Sequence, residues 1–270
     1  GLGGTNARLG NGEFIVVEAD EFDRTFLKLT PTIAALTTLE SEHLDTYKDL
    51  DDIKSAFIEF ANKVPFYGFV TLCLDEPALQ DIMPQINKKI ITYGLNVQAD
   101  VRATDITHNG FTSSYKVKYF GNEIGEITLK IPGKHNINNS LVAVVIGKEL
   151  GVDFKIIKSA LESFSGVYRR FEVKYNKEIL VIDDYAHHPT EATATLKAIR
   201  DGWDRRLVAV FQPHLYSRTR DFYQEFGRAF LNSDLFICTD VYPARELPIE
   251  GVTGDLIAST TKKFGHKNVH

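Results

Sequence analysis

Four polar clusters hold the residue types that do chemistry, and each follows an apolar run or opens a helix. EADEFD (18–23) follows FIVV and sets four carboxylates in six residues. Such a group repels itself unless a cation or amide donors face it, which makes Glu18 a candidate cation-facing acid. The plain alternative is a solvated helix start, where acids are favoured. LESEHLDTY (39–47) places His43 among Glu40, Glu42 and Asp45 after a second apolar run. A histidine is a less usual partner than oxygen for a hard cation, and a satisfied surface histidine is the plain reading. GKHNINN (133–139) offers His135 and Asn136 behind a glycine that permits close approach. The same amides suit a base edge or a simple helix cap. The fourth cluster is composite: GVYRRFE, DDYAHHPTE and FQPHLYSRTR hold Arg169, Arg170, Asp183, Asp184, His187, His188, His214, Arg218 and Arg220. That density of His and Arg at two strand ends reads as an anion-binding, carboxylate-handling site.

The elements that must position these clusters follow from periodicity. FIVVEAD (14–20), PTIAALTTL (31–39) and FVTLCLD (69–75) read as fully buried strands of a parallel sheet. Between the last two, Ile53, Phe57, Phe60 and Val64 keep helical spacing, with Asp49 or Asp51 as cap and Pro65 as stop. Residues 100–132 alternate with period two and carry turn signals at HNG and FGN, which predicts a small antiparallel sheet appended to the first domain. Two helices follow, at about 136–150 and after Asp153. The strand–helix rhythm then restarts with EILVIDDY, a helix at 189–201, RLVAVFQP, a helix at 221–232 and LFICTDVY. The fold class is therefore α/β in two domains, 1–168 and 169–270: a mostly parallel sheet with an antiparallel patch, then a second α/β unit. In open α/β sheets ligands bind at the carboxyl ends of the strands, where the polar clusters fall.

Bulk properties narrow the function. The chain has 270 residues, 43% of them hydrophobic, and a formal charge of −5. A mildly acidic chain makes a poor general partner for nucleic acid or anionic membrane, so neither is expected. No run of 18 apolar residues and no signal peptide is present. The two cysteines, Cys73 and Cys238, sit in apolar runs and read as core residues, which fits a reducing cytoplasm. The Gly-rich start and the KKFGHKNVH end read as cuts through a larger protein.

EADE-x-D, HLDTY, GKHN-x-x-N, GV-x-RRFE, DDYAHHPTE, FQPH-x-YSRT and VYPARE-x-P-I-x-GV span almost all of the chain. In order and spacing they resemble the Mur ligase family, on the branch that joins L-alanine to UDP-N-acetylmuramate. DDYAHHPTE with FQPH-x-YSRT is the specific pair; EADE alone is weak. The resemblance implies an ATPase-like central domain and a Rossmann-like C-terminal domain, both truncated, with ATP and Mg²⁺ required and peptidoglycan precursor as product. It implies that Glu18 and His43 stand on the metal side. His135, Asn136, Arg170 and Asp184 would contact ATP. Tyr185, His187, His214 and Arg218 would face the alanine, with Asn6 and Arg8 towards UDP-N-acetylmuramate. His187 and Arg218, with Glu18 and His43, would be the catalytic set. No G-x-x-x-x-G-K-[ST] phosphate loop occurs in these residues, so this stretch by itself is expected to be inactive.

The sequence departs from the family pattern at three places. Thr38 and Glu42 replace an amide and an aspartate before the histidine, Leu215 stands where an arginine is common, and the region of Lys54 and Phe57 shows no match to the modified lysine of sister ligases. Other readings are a nucleotide-binding regulatory module, an inactive remnant of such a ligase, or a ligase that recycles murein peptides.

Overall fold

The computed structural model describes residues 7–40 and 46–270. The chain divides into two compact units. The first comprises Gly1–Thr107, Ser114–Thr128 and Asn136–Ser163; the second comprises His108–Ser113, Leu129–His135 and Phe164–His270.

The first unit is built on β1 (Ile33–Leu36), α1 (Leu50–Asn62), β2 (Phe69–Cys73), α2 (Pro77–Ile82), β3 (Ile90–Gly94), β4 (Val101–Asn109), β5 (Thr112–Tyr119), β6 (Asn122–Leu129), α3 (Lys134–Glu149) and α4 (Phe154–Ser163). Its sheet runs β1-β2-β3-β4-β5-β6, with β1 to β4 paired in parallel. Every residue of β2 is buried, as a central parallel strand covered on both faces requires. α1 starts where the Asp49 carboxylate accepts from Asp52 N at 2.9 Å, and it lays Phe57 and Phe60 against Phe26, with ring centroids 5.5 and 5.0 Å away. Gly68, just ahead of β2, passes so close to the chain before β1 that a Cβ there would lie 1.9 Å from Thr32 O.

Two expectations are corrected here. Residues 14–20 form no strand: the run is irregular and Val16 is 95% exposed. Apolar composition alone does not make a parallel strand; a neighbour's ladder is needed, and β1, the edge strand, pairs with β2 alone. Residues 101–129 do form the meander, turning at Gly110 and Gly121, both with positive φ. They are not a separate sheet, because β4 pairs with β3 through Tyr93–Val101 and Gly94–Arg102. Asp100 closes that junction by accepting from Thr92 N and Oγ1, both at 2.8 Å.

The second unit contains the β7 (Glu172–Asn176) and β8 (Leu180–Asp183) antiparallel hairpin, α5 (Pro189–Gly202), β9 (Val208–Phe211), α6 (Tyr216–Ala229), β10 (Leu235–Cys238) and α7 (Gly254–Lys263). β9 and β10 pair in parallel, and residues 268–270 run beside β10 through Phe236 and Val269. The core gathers Leu196, Phe211, Phe226, Phe230, Phe236 and Ile257, with Phe230 and Phe236 stacked at 4.0 Å. The helix expected at 221–232 begins earlier, at Tyr216, and bends at Phe222. Burial pushes the Cys73 and Cys238 thiols up to about 12, as core residues rather than nucleophiles. No helix among the described residues is long and apolar enough to cross a membrane.

Candidate functional site

The second unit gathers most of the sequence-derived candidates behind β8 and β9. After β8, the Asp184 carboxylate accepts from Ala186 N at 2.9 Å, Phe171 N at 3.0 Å and Thr195 Oγ1 at 3.1 Å. Asp184 is thus a brace for the loop 167–172. That loop needs one: Arg169 (φ 56) and Phe171 (φ 50) are both left-handed, a conformation that persists only when its surroundings over-determine it. Between them, Arg170 donates to Glu191 Oε1 at 2.8 Å. Beside Arg170 lies a cavity of about 350 Å³, lined by Phe111, Ile131, Tyr168, Phe171 and Glu172 among others. It sits at the small end of ligand pockets, and its aromatic walls suit a planar base.

Glu191 organises the start of α5. It stands three residues after the N-cap His188 and accepts from His188 N at 3.2 Å and His187 N at 2.8 Å, while Pro189 occupies the first helical position. Burial alone pushes its carboxyl up; the His187 amide, the Arg170 guanidinium and the His187 ring outweigh that and hold it below the ordinary range. His135 shares this neighbourhood. Although His135 is exposed at the surface, nearby protein atoms partly desolvate its ring and shift it below the usual histidine value, with Asp184 opposing and Arg170 adding to the effect. Gly133, at φ 99, lets the chain pass within 2.6 Å (from a would-be Cβ) of the His135 ring.

The amino-acid-facing candidates meet in one cluster. Tyr185 and His187 have ring centroids 5.2 Å apart, His187 and His214 6.3 Å, and Arg218 Nη1 lies 3.4 Å from His214 Nδ1. The two histidines present opposite faces. His187 Nδ1 sits between two acceptors, Tyr185 O at 2.9 Å and Glu191 Oε2 at 3.3 Å, so Nδ1 carries a proton and acts as donor there. His214 Nδ1 faces a guanidinium, which only donates, so its Nε2 carries the proton. Burial, then Arg218 and His187, hold His214 below the usual value and therefore neutral at pH 7. The cluster thus offers a guanidinium and an N–H donor for a carboxylate, with the His187 ring beside them.

The remaining candidates are not gathered. Glu18 and Arg8 are exposed on irregular chain, so the expected strand-end placement of Glu18 does not occur. His43 and Asn6 lie outside the described residues. Asn136 lies in the first turn of α3, half-buried. Among the described residues no group of three His, Cys, Asp or Glu is placed to hold a metal ion. Two residues were missed from sequence. Glu191 carries a local signal, its capping spacing from His188. Glu246, which accepts from Ser217 N at 2.9 Å, lies 29 residues away; it falls inside the VYPARE motif, but nothing local ties it to Ser217.

Residues 5–147 match the Mur ligase middle domain, and residues 169–270 the Mur ligase glutamate ligase domain. The chain is 53% identical over 267 residues to a UDP-N-acetylmuramate–L-alanine ligase of Geotalea uraniireducens, covering 98% of this chain and 58% of that one. It is 49% identical over 269 residues to the enzyme of that name in Salinibacter ruber, covering 99% and 57%. It is also similar to the solved structure of a UDP-N-acetylmuramate-alanine ligase from Thermotoga maritima: TM-score 0.74, 25% identity, 93% of this chain and 53% of the other. The chain therefore spans somewhat more than half the length of the relatives it matches.

Proposed function

Because the chain belongs to the Mur ligase family, we propose that it carries the nucleotide- and amino-acid-handling parts of an ATP-dependent ligase joining L-alanine to the carboxylate of UDP-N-acetylmuramate. In this reading ATP phosphorylates that carboxylate, releasing ADP. The alanine amine attacks the acyl carbon, and phosphate leaves as the amide forms. The protein's part is positioning and charge neutralisation. Arg218 and the His214 Nε2–H hold the alanine carboxylate. His187 Nε2 accepts a proton from the amine. Arg170, with His135 and Asn136, meets the nucleotide, whose base enters the cavity beside Phe171; Asp184 keeps that loop in shape. Mg²⁺ would accompany the nucleotide phosphates, with Glu18 and His43 as its proposed protein side, and Asn6 and Arg8 would face the UDP-sugar.

The observation that carries the proposal is the meeting of Tyr185, His187, His214 and Arg218 in one cluster. The test is phosphate release by an active ligase carrying these residues, supplied with ATP and UDP-N-acetylmuramate. L-alanine should trigger release and amide formation. Equal release with glycine, L-serine or an L-alanyl peptide, or none with L-alanine, would sink it.

A further inference from the structure

The segment after β10 is stitched along the turn that joins β9 to α6. Thr239 N donates to Phe211 O at 2.9 Å, Tyr242 N to Pro213 O at 2.8 Å, and Leu215 N to Tyr242 O at 2.9 Å. The Tyr242 ring stacks on His214, centroids 5.6 Å apart and planes 24° apart. Glu246 then closes the stitch: Ser217 N and Ser217 Oγ each donate to one of its carboxylate oxygens.

Between these clamps Leu215 stands at φ 73, ψ 136, strained for a residue with a Cβ and held there only if its surroundings insist. Leu215 is also the N-cap of α6, and no side-chain cap hydrogen bond forms there. The first turn of α6 has amides to satisfy and the positive end of its dipole to balance, and Glu246 meets both needs from a distant loop. Ser217 immediately precedes Arg218, and Arg218 reaches back to His214, on the other side of the strained residue. Both cationic and N–H donors of the proposed carboxylate grip therefore hang on one turn whose shape is set by the strap.

We propose that Glu246 is a positioning residue: by capping α6 through Ser217 it locks the β9–α6 turn and so aims Arg218 and His214 at the carboxylate of the incoming amino acid. The inference rests on the reading of Arg218 given above. Glu246 touches no substrate in this role and acts through Arg218 and His214. The loss of carboxyl pKa that accompanies it, in which burial is outweighed by Ser217, Tyr216 N and Arg218, keeps the cap charged at working pH.

The test is steady-state kinetics of Glu246→Ala, Glu246→Gln, Arg218→Ala and the Arg218→Ala/Glu246→Ala double variant in an active ligase carrying these residues. Glu246→Ala should raise the alanine KM about tenfold while the KM values for ATP and UDP-N-acetylmuramate stay put. Glu246→Gln, which keeps an acceptor for the Ser217 hydroxyl, should recover part of the loss and stands in if the alanine variant does not fold. With Arg218 already removed, losing Glu246 should add little. An alanine KM unchanged by Glu246→Ala but raised by Arg218→Ala overturns this inference alone, as does a full additional effect in the double variant. A loss that follows the fall in Tm across all three substrates also overturns it. An alanine KM unchanged by Arg218→Ala overturns the parent reading and this one together.

Discussion

Arg218 and His214 lie 3.4 Å apart, and in the proposed reading the carboxylate of the incoming amino acid meets them both. Truncating one partner of a buried, hydrogen-bonded charge pair costs roughly 2 kcal/mol or more, much of it from the charge left unpaired. Arg218→Ala is therefore expected to raise the alanine KM about 30-fold or more with Tm unchanged; an unchanged KM, or loss of folding alone, counts against the role. Glu191 invites a second test. Its folded-state carboxyl lies below the ordinary value of 4.5, so the ionised form is favoured by folding. Its contribution is fully present above that value and is lost as pH falls through the lower, folded-state value. Glu191→Gln should cost about 1 kcal/mol near neutral pH, the scale of a helix cap, and the gap from the parent should close as the medium is acidified. A gap independent of pH would show that the cap works without charge. Arg218, His214 and His187 were legible from the FQPH-x-YSRT and DDYAHHPTE spacings. Which ring nitrogen bears a proton was not, because that depends on the partner each nitrogen meets in space.

At the scale of elements, β2 and β1 were readable from their apolar runs, although β1, at the sheet edge, leaves Ala35 exposed instead of being fully buried, whereas 14–20, with similar composition, stays irregular. β3 (IITYG) was not expected: it mixes two isoleucines with Thr92, Tyr93 and Gly94, so it lacks the continuous apolar run that marks β2. The early start of α6 escaped for a different reason: its cap is Glu246, and no signal for it exists near Leu215. The parallel sheet also leaves a mark that no periodicity shows. Gly68 does not take a left-handed φ, yet a methyl group there would overlap Thr32 O at 1.9 Å. That contact is backbone on backbone, so no rotamer can relieve it. Gly68→Ala is expected to destabilise the first unit by roughly 1–3 kcal/mol, the cost of overpacking, measured as a fall in urea midpoint with m unchanged. A variant with parent stability would mean that the entry to β2 is looser than it looks.

For the molecule as a whole, the distribution of positive charge decides what this polypeptide can hold. Its formal charge is −5, so no diffuse cationic surface is available to a triphosphate. No G-x-x-x-x-G-K-[ST] occurs in the 270 residues, so they supply neither the loop of backbone amides nor the lysine that ordinarily grips the β and γ phosphates. Arg170, the proposed nucleotide cation, already donates to Glu191 at 2.8 Å, and drawing it towards a phosphate would strip a partner from the carboxylate that also caps α5. What remains for a nucleotide among the described residues is the aromatic-walled cavity beside Arg170, which rewards the base and has Lys130 in its lining but no loop of amides for the β and γ phosphates. The 270-residue polypeptide is therefore predicted to bind adenosine and ATP with affinities within about threefold of each other, both weak, and to release no phosphate on addition of L-alanine and UDP-N-acetylmuramate. Calorimetric titration of both ligands, with ligand-observed NMR for the weaker range, reads this directly. ATP binding a hundredfold tighter than adenosine would show a phosphate grip built from residues other than a phosphate loop, with Arg170 released from Glu191 as the first candidate; a Glu191→Gln variant that tightens ATP alone would identify it.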